Sequence, residues 1–146
     1  MSQLDFNTIA SLIVYEDNHL IAVNKPAGIL VQGDDTGDIP LSELVKSFLK
    51  QREQKPGNVF CGVIHRIDRP VSGIVLLAKT SKGLSKMNEC FREDKIKKTY
   101  RTLVNGIPLQ EKGELRHYLR KNNKTLKADV FTKPVENEIG RASSRE

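Results

Sequence analysis

The stretch Gly62-Val63-Ile64-His65-Arg66-Ile67-Asp68-Arg69-Pro70-Val71-Ser72-Gly73-Ile74-Val75-Leu76-Leu77-Ala78-Lys79 decides the reading of this chain. Apolar residues lead in at Val63 and Ile64 and lead out from Ile74 to Ala78. Between them lies a knot of polar side chains: His65, Arg66, Asp68, Arg69 and Ser72. Short apolar runs bounded by turn formers read as buried strands, so two strands joined by a charged loop are predicted. Loops held on rigid strands are where catalytic groups concentrate. Asp68, with an arginine on either side, is the centre of this one.

Upstream, Leu12 to Val23 reads as a hairpin, two β-prone apolar runs flanking the turn formers Glu16-Asp17-Asn18. Asn24-Lys25-Pro26-Ala27-Gly28 breaks the second strand and leaves Lys25 at its end. Gln32 to Asp38 reads as a solvated loop. Pro40 suits a helix start, and Leu41, Leu44, Val45, Phe48 and Leu49 form one helical face. Residues 2–10 show no strong pattern.

Downstream, Thr80 or Ser81 can cap a second helix carrying Leu84, Met87 and Phe91, with Gly83 weakening it a little. Asp94 to Lys98 is a basic link. Thr99 to Val104 has strand composition and is closed by Asn105-Gly106. Glu114 to Leu119 and Thr125 to Phe131 read as a further hairpin, with Asn122-Asn123 in its turn and a basic surface of Arg116, His117, Arg120, Lys121, Lys124 and Lys127. Residues 135–146 lack apolar periodicity and are expected to form an irregular tail. Hairpins outnumber βαβ units, so an α+β fold is predicted: a mixed, mainly antiparallel sheet flanked by helices, in one domain over residues 1–146.

Composition narrows the partners. The 146 residues carry 24 Lys and Arg against 18 Asp and Glu, a net charge of +6 and a pI of about 9.4. That balance fits a polyanion, nucleic acid above all, although mild basicity also occurs without such a partner. No apolar run has the roughly 18 residues of a membrane helix, and the N-terminus lacks the basic start and apolar core of a signal peptide. A cytoplasmic protein is expected. Cys61 and Cys90 have no CxxC or Cys/His spacing and read as buried free thiols. His19, His65 and His117 are widely separated, and no further ligands cluster near His65 and Asp68, so no metal site is expected.

Each candidate residue has a plainer alternative. Asp68 between two cations has its ionised form favoured, which suits a nucleophile or base; a structural ion pair or turn cap would read the same way. Ser72 lacks a G-x-S-x-G setting, and with Gly73 it suits a tight turn. Lys25 can meet phosphate or stand as an exposed lysine at a strand end. Tyr100, among Lys97, Lys98 and Arg101, can stack on an unpaired base or sit half-buried in a sheet.

His65 to Gly73 closely resembles the central motif of the RluA family of pseudouridine synthases, with Val71 where Thr is usual. Tyr15-Glu16-Asp17 and Asn24-Lys25-Pro26-Ala27-Gly28 resemble the family's N-terminal motif. Lys98-Thr99-Tyr100-Arg101-Thr102-Leu103-Val104-Asn105-Gly106 resembles a later strand motif, with Thr102 in the usual Ala place. The resemblance covers about residues 12 to 106. It implies isomerisation of uridine in rRNA or tRNA to pseudouridine, without a metal or organic cofactor. It implies Asp68 as the catalytic carboxylate and Tyr100 as the tyrosine packing on uracil. Arg66, Arg69 and His65 join Tyr100 as expected RNA-contacting residues, and one of the two arginines is expected to hold the flipped nucleotide or its phosphate. Lys25 falls in a motif that is mainly structural in the family. The family's C-terminal motif, with its basic residue and Leu, and its arginine partner of the aspartate have no match before Glu146, so a C-terminally truncated catalytic domain is expected. The competing readings are a non-catalytic basic RNA-binding module and a hydrolase using Ser72 or Asp68.

Overall fold

A computed structural model describes residues 5–54, 56–107, 112–122, 127–134 and 140–145. The chain divides into two compact units, Met1–Lys98 and Thr99–Glu146.

The first unit is built on a four-stranded antiparallel sheet in the order β1-β2-β4-β3. Strands β1 (Ile13–Glu16) and β2 (Leu20–Lys25) form the predicted hairpin. Its turn is held by Asp17, whose Oδ1 accepts from the His19 and Leu20 amides, both at 2.7 Å, and whose Oδ2 accepts from the Tyr15 hydroxyl at 2.9 Å. Strand β3 (Gly62–Val63) and strand β4 (Gly73–Ala78) flank the charged loop as the sequence predicts, and β2 pairs with β4 from Leu20↔Ala78 to Lys25↔Gly73.

Strand alternation sends Ile21 and Val23, with their directly opposed partners Leu77 and Val75, to one face. That face packs on Leu41, Val45, Phe48 and Leu49 of helix α2 (Leu41–Glu53) and on Ile9 of helix α1 (Phe6–Leu12). Complete burial of such side chains is worth about 2 kcal/mol each. The predicted face of α2 is therefore the one that folds the unit. Helix α1 was not apparent in the sequence. Asp5 caps it, accepting from the Thr8 amide at 2.7 Å, and it ends at Leu12, so the hairpin begins one residue later than the apolar run suggests.

Arg52, at the end of α2, forks onto Glu16 at 2.8 and 2.6 Å, and Lys79 reaches the same carboxylate at 2.5 Å. These contacts hold the Glu16 carboxyl at about 2, with the Arg52 hydrogen bonds the leading cause. Helix α3 (Ser81–Arg92) is capped by Thr80, whose hydroxyl oxygen accepts from Gly83 N at 3.1 Å and also lies 2.9 Å from His19 Nδ1. Gly83 is a packing requirement, since a Cβ there would stand 2.9 Å from the His19 carbonyl oxygen.

The second unit contains a three-stranded antiparallel sheet in the order β6-β5-β7. Strands β5 (Glu114–Asn122) and β6 (Lys127–Phe131) form the predicted basic hairpin, except that Asn122, expected in the turn, ends β5 opposite Lys127; residues 123–126, including Asn123 of the expected turn, lie outside the described residues. Two expectations give way here. Gly140–Arg145, part of the expected irregular tail, forms β7 against Glu114–Leu119. Its backbone ladder needs no apolar alternation, which is why composition hid it. Conversely, Thr99 to Val104 pairs with no strand among the described residues, and Leu103 is fully exposed. Strand composition favours a pleated surface only where a neighbour supplies one.

Candidate active site

The loop from Ile64 to Ser72 leaves β3 and returns to β4, and its middle is fixed from both sides of Asp68. On one side, Ile67 packs against the hydrophobic core. On the other, Arg69 is held through both backbone and side chain. Its carbonyl oxygen accepts from Gly28 N at 2.7 Å and from Lys25 Nζ at 3.3 Å; its Nε donates to the Gly28 carbonyl at 3.0 Å; and its guanidinium meets Asp38 at 2.7 Å. Gly28 has φ of 91°, a left-handed conformation natural to glycine. A turn closes behind Asp68, with Val71 N donating to the Asp68 carbonyl at 3.0 Å, and Gly73, at φ 137°, returns the chain to β4.

Lys25 is the residue the sequence left undecided, and it is neither exposed nor placed to meet phosphate. It has no solvent exposure, and its ammonium donates to the carbonyls of Ile29 at 2.8 Å, Pro26 at 3.1 Å and Arg69. Burial lowers its pKa below the ordinary lysine value, and the negative charge of Asp68 opposes that shift. The cation therefore knots the Pro26–Ile29 turn to the residue beside Asp68 and sets positive charge behind the carboxylate. Three carbonyl acceptors around one buried ammonium satisfy all its donors.

Asp68 itself is exposed, and its carboxylate has no hydrogen-bonded partner among the described residues. Arg66 is likewise exposed and without a hydrogen bond or ion pair among them. Arg69, expected to share RNA contact with Arg66, is committed to Gly28 and Asp38. His65, also expected among the RNA-contacting residues, is half-buried: Nε2 accepts from the Leu76 amide at 3.1 Å and the ring stacks on Phe91 with centroids 5.3 Å apart. Burial, followed by the charge of Lys98, lowers its pKa below the usual 6.5. Tyr100 belongs to the second unit and is 66% exposed.

Sequence reasoning missed Gly28 and Asp38 as supports of the loop. The Pro-Ala-Gly sequence after Lys25 was the available signal for the first; nothing marked Asp38 among its neighbouring aspartates. Among the described residues no group of three or more His, Cys, Asp or Glu could hold a metal ion. Cys61 and Cys90 are free and half-buried, less enclosed than expected. Burial pushes the Cys61 thiol up to about 12, too high for an activated nucleophile.

The clamped loop thus presents an exposed carboxylate beside an arginine without a hydrogen bond or ion pair among the described residues, with the buried Lys25 ammonium on its other side. The family model for RNA pseudouridylate synthase matches residues 19–144, and the chain belongs to that family. It is similar to the ribosomal large subunit pseudouridine synthase C of Buchnera aphidicola subsp. Acyrthosiphon pisum, at 42% identity over 65% of this chain and 28% of that protein. It is also similar to the tRNA pseudouridine synthase C of Haemophilus ducreyi, at 38% identity over 84% of this chain and 47% of that protein. The chain thus spans less than half the length of these curated relatives. In fold it is similar to human RNA pseudouridylate synthase domain containing 4, with a TM-score of 0.69 at 15% identity over 96% of this chain and 54% of that one.

Proposed function

We propose that this chain carries the catalytic carboxylate of an enzyme that isomerises uridine in structured RNA, rRNA or tRNA, to pseudouridine. The observation that carries the reading is Asp68: an open carboxylate on a loop fixed by Lys25, Gly28 and the core, in a chain of this family. In the reaction the N1–C1′ bond breaks, the uracil turns, C5 bonds to C1′, the C5 hydrogen leaves to solvent as a proton, and N1 takes up a proton in exchange. An ionised Asp68 attacks at the sugar or removes a proton from it as the bond breaks, a relative of the carboxylate work in glycosidases. The uridine must leave its stack to reach the loop. Arg66, whose guanidinium has no hydrogen bond or ion pair among the described residues, holds the displaced nucleotide or its phosphate, and Tyr100 packs on the uracil.

The family match crosses both units, which supports residues 1–146 acting as one catalytic domain. The charge of +6 and the basic strand β5 support RNA as partner through phosphate contacts. The chemistry calls for no metal or organic cofactor. An RNA substrate of this kind places the protein in the cytoplasm in this reading. Among the described residues no helix is long and apolar enough to cross a membrane.

The second reading, a non-catalytic RNA-binding module, is favoured by one observation: the Tyr100 segment lacks a sheet partner among the described residues. Tritium release from RNA labelled at uridine C5 separates the two. Release by the wild type and not by Asp68→Asn supports the synthase; RNA binding without release by either supports the module.

A further inference from the structure

We propose that His65 is a positioning residue rather than an RNA contact: its imidazole extends the β3–β4 ladder by one side-chain hydrogen bond and thereby fixes the loop three residues before Asp68. This rests on the synthase reading for its kinetic consequence, though not for its structural one.

Strand β3 is two residues long, and its pairing with β4 runs only from Gly62↔Ala78 to Val63↔Leu77. The next amide along β4, Leu76 N, would have faced a continuing strand. The chain instead turns away into the loop, and His65 Nε2 takes up the donor at 3.1 Å. A buried amide left unpaired costs about as much as a lost hydrogen bond, so the contact has a defined role in the sheet. The ring is gripped as well as bonded. It stacks on Phe91 of α3 at 5.3 Å with 24° between planes. Lys98 Nζ stands 5.8 Å from the Phe91 ring centre.

Only neutral imidazole can perform this task. Acceptance at Nε2 places the ring proton on Nδ1. Protonation of Nε2 would set a second N–H against the Leu76 N–H and break the contact. The surroundings resist that event: the ring is half-buried between β4 and α3, and the charged group acting on it is the like-charged ammonium of Lys98. The clasp therefore holds at neutral pH and opens in acid, after the pH has fallen below the usual imidazole midpoint of 6.5.

Two variants separate the parts of this claim in the full chain. His65→Phe keeps an aromatic ring for Phe91 and removes the acceptor; His65→Gln restores an acceptor oxygen without the charge. His65→Phe is expected to lower kcat for tritium release about tenfold to hundredfold, the cost of a small misplacement of a reacting group, with KM little changed. His65→Gln is expected to recover most of that loss and to remove the histidine step from the acid side of the kcat profile. Independent of activity, the wild-type imidazole should titrate below 6.5 by NMR, and Leu76 N–H should exchange faster in His65→Phe than in the wild type. The proposal is overturned if the imidazole titrates at or above its ordinary value. It is equally overturned if Leu76 exchanges alike in both proteins, or if His65→Phe raises KM and leaves kcat untouched, the sign of a direct RNA contact. If the wild type releases no tritium, the synthase reading fails, while the titration and exchange measurements still decide the clasp.

Discussion

The Ile64–Ser72 loop and the Thr99–Ile107 segment both carry family-like motifs outside the ladders, and they differ in what holds them. The loop has Ile67 in the core, Arg69 gripped by Lys25, Gly28 and Asp38, and His65 bonded to β4. In the other segment Tyr100 and Val104 are about two-thirds exposed, Leu103 is fully so and Ile107 is nearly so. A strand-like composition is common to the second stretch and to β4. Conformation followed the anchors: buried donors needing acceptors, and neighbours supplying a pleated surface.

The comparison breaks first at Asp68. Asp68→Asn should abolish tritium release, a loss on the order of a thousandfold or about 4 kcal/mol of barrier. Its urea midpoint should match the wild type, since the carboxylate is exposed and not hydrogen-bonded among the described residues. A large stability loss would recast Asp68 as a structural residue. Next comes Lys25→Met, which takes the ammonium from the Pro26 and Ile29 carbonyls and leaves Arg69 O with only the Gly28 amide. A loss of about 3 kcal/mol in urea unfolding is expected, with kcat falling too; unchanged stability would show that the loop is held without the ammonium.

A smaller effect concerns pH. Glu16 is held at about 2 against an ordinary 4.5. The unfolded chain therefore takes up this proton first, so the contribution is complete above 4.5 and is lost as pH falls from there towards 2. Unfolding free energies from urea titrations at about pH 6 and about pH 3 should differ less in Glu16→Gln than in the wild type, by about 1 kcal/mol for a partly screened network. The smallest effect belongs to the exposed segment: Leu103→Ser should change stability by less than about 0.5 kcal/mol. A loss above about 1 kcal/mol would mean that Leu103 is packed, and the contrast between the two stretches would fail.

Much of the first unit could be read from sequence because its signals are local. Asp17 and its neighbours mark a turn, Leu41 to Leu49 show a helical face, and apolar runs bracket the loop. Helix α1 escaped because its 7 residues, about two turns, leave only Phe6, Ile9 and Leu12 to see. Strand β7 escaped because Gly140-Arg141-Ala142-Ser143-Ser144-Arg145 pairs through its backbone. At the candidate site, the motif put Asp68 forward, but the separate contacts of its neighbours depend on residues distant in sequence. Arg66 and Arg69 look equivalent beside Asp68; only Gly28 and Asp38, brought in from elsewhere, tell them apart. Lys25 at a strand end looks like any surface lysine until the chain returns over it.

That return gives Lys25 a place in time as well as in space. Its contact with Arg69 spans 44 residues, a closure costing about 3 kcal/mol in chain entropy. During synthesis, the hairpin of β1 and β2 and the helix α2 are complete before Arg69 exists. Throughout that interval the ammonium lacks the Arg69 carbonyl and has only its local acceptors, those of Pro26 and Ile29. Fixing the loop on Lys25 thus waits for the chain to return, and a nascent chain stalled before Arg69 carries the anchor without the loop it holds.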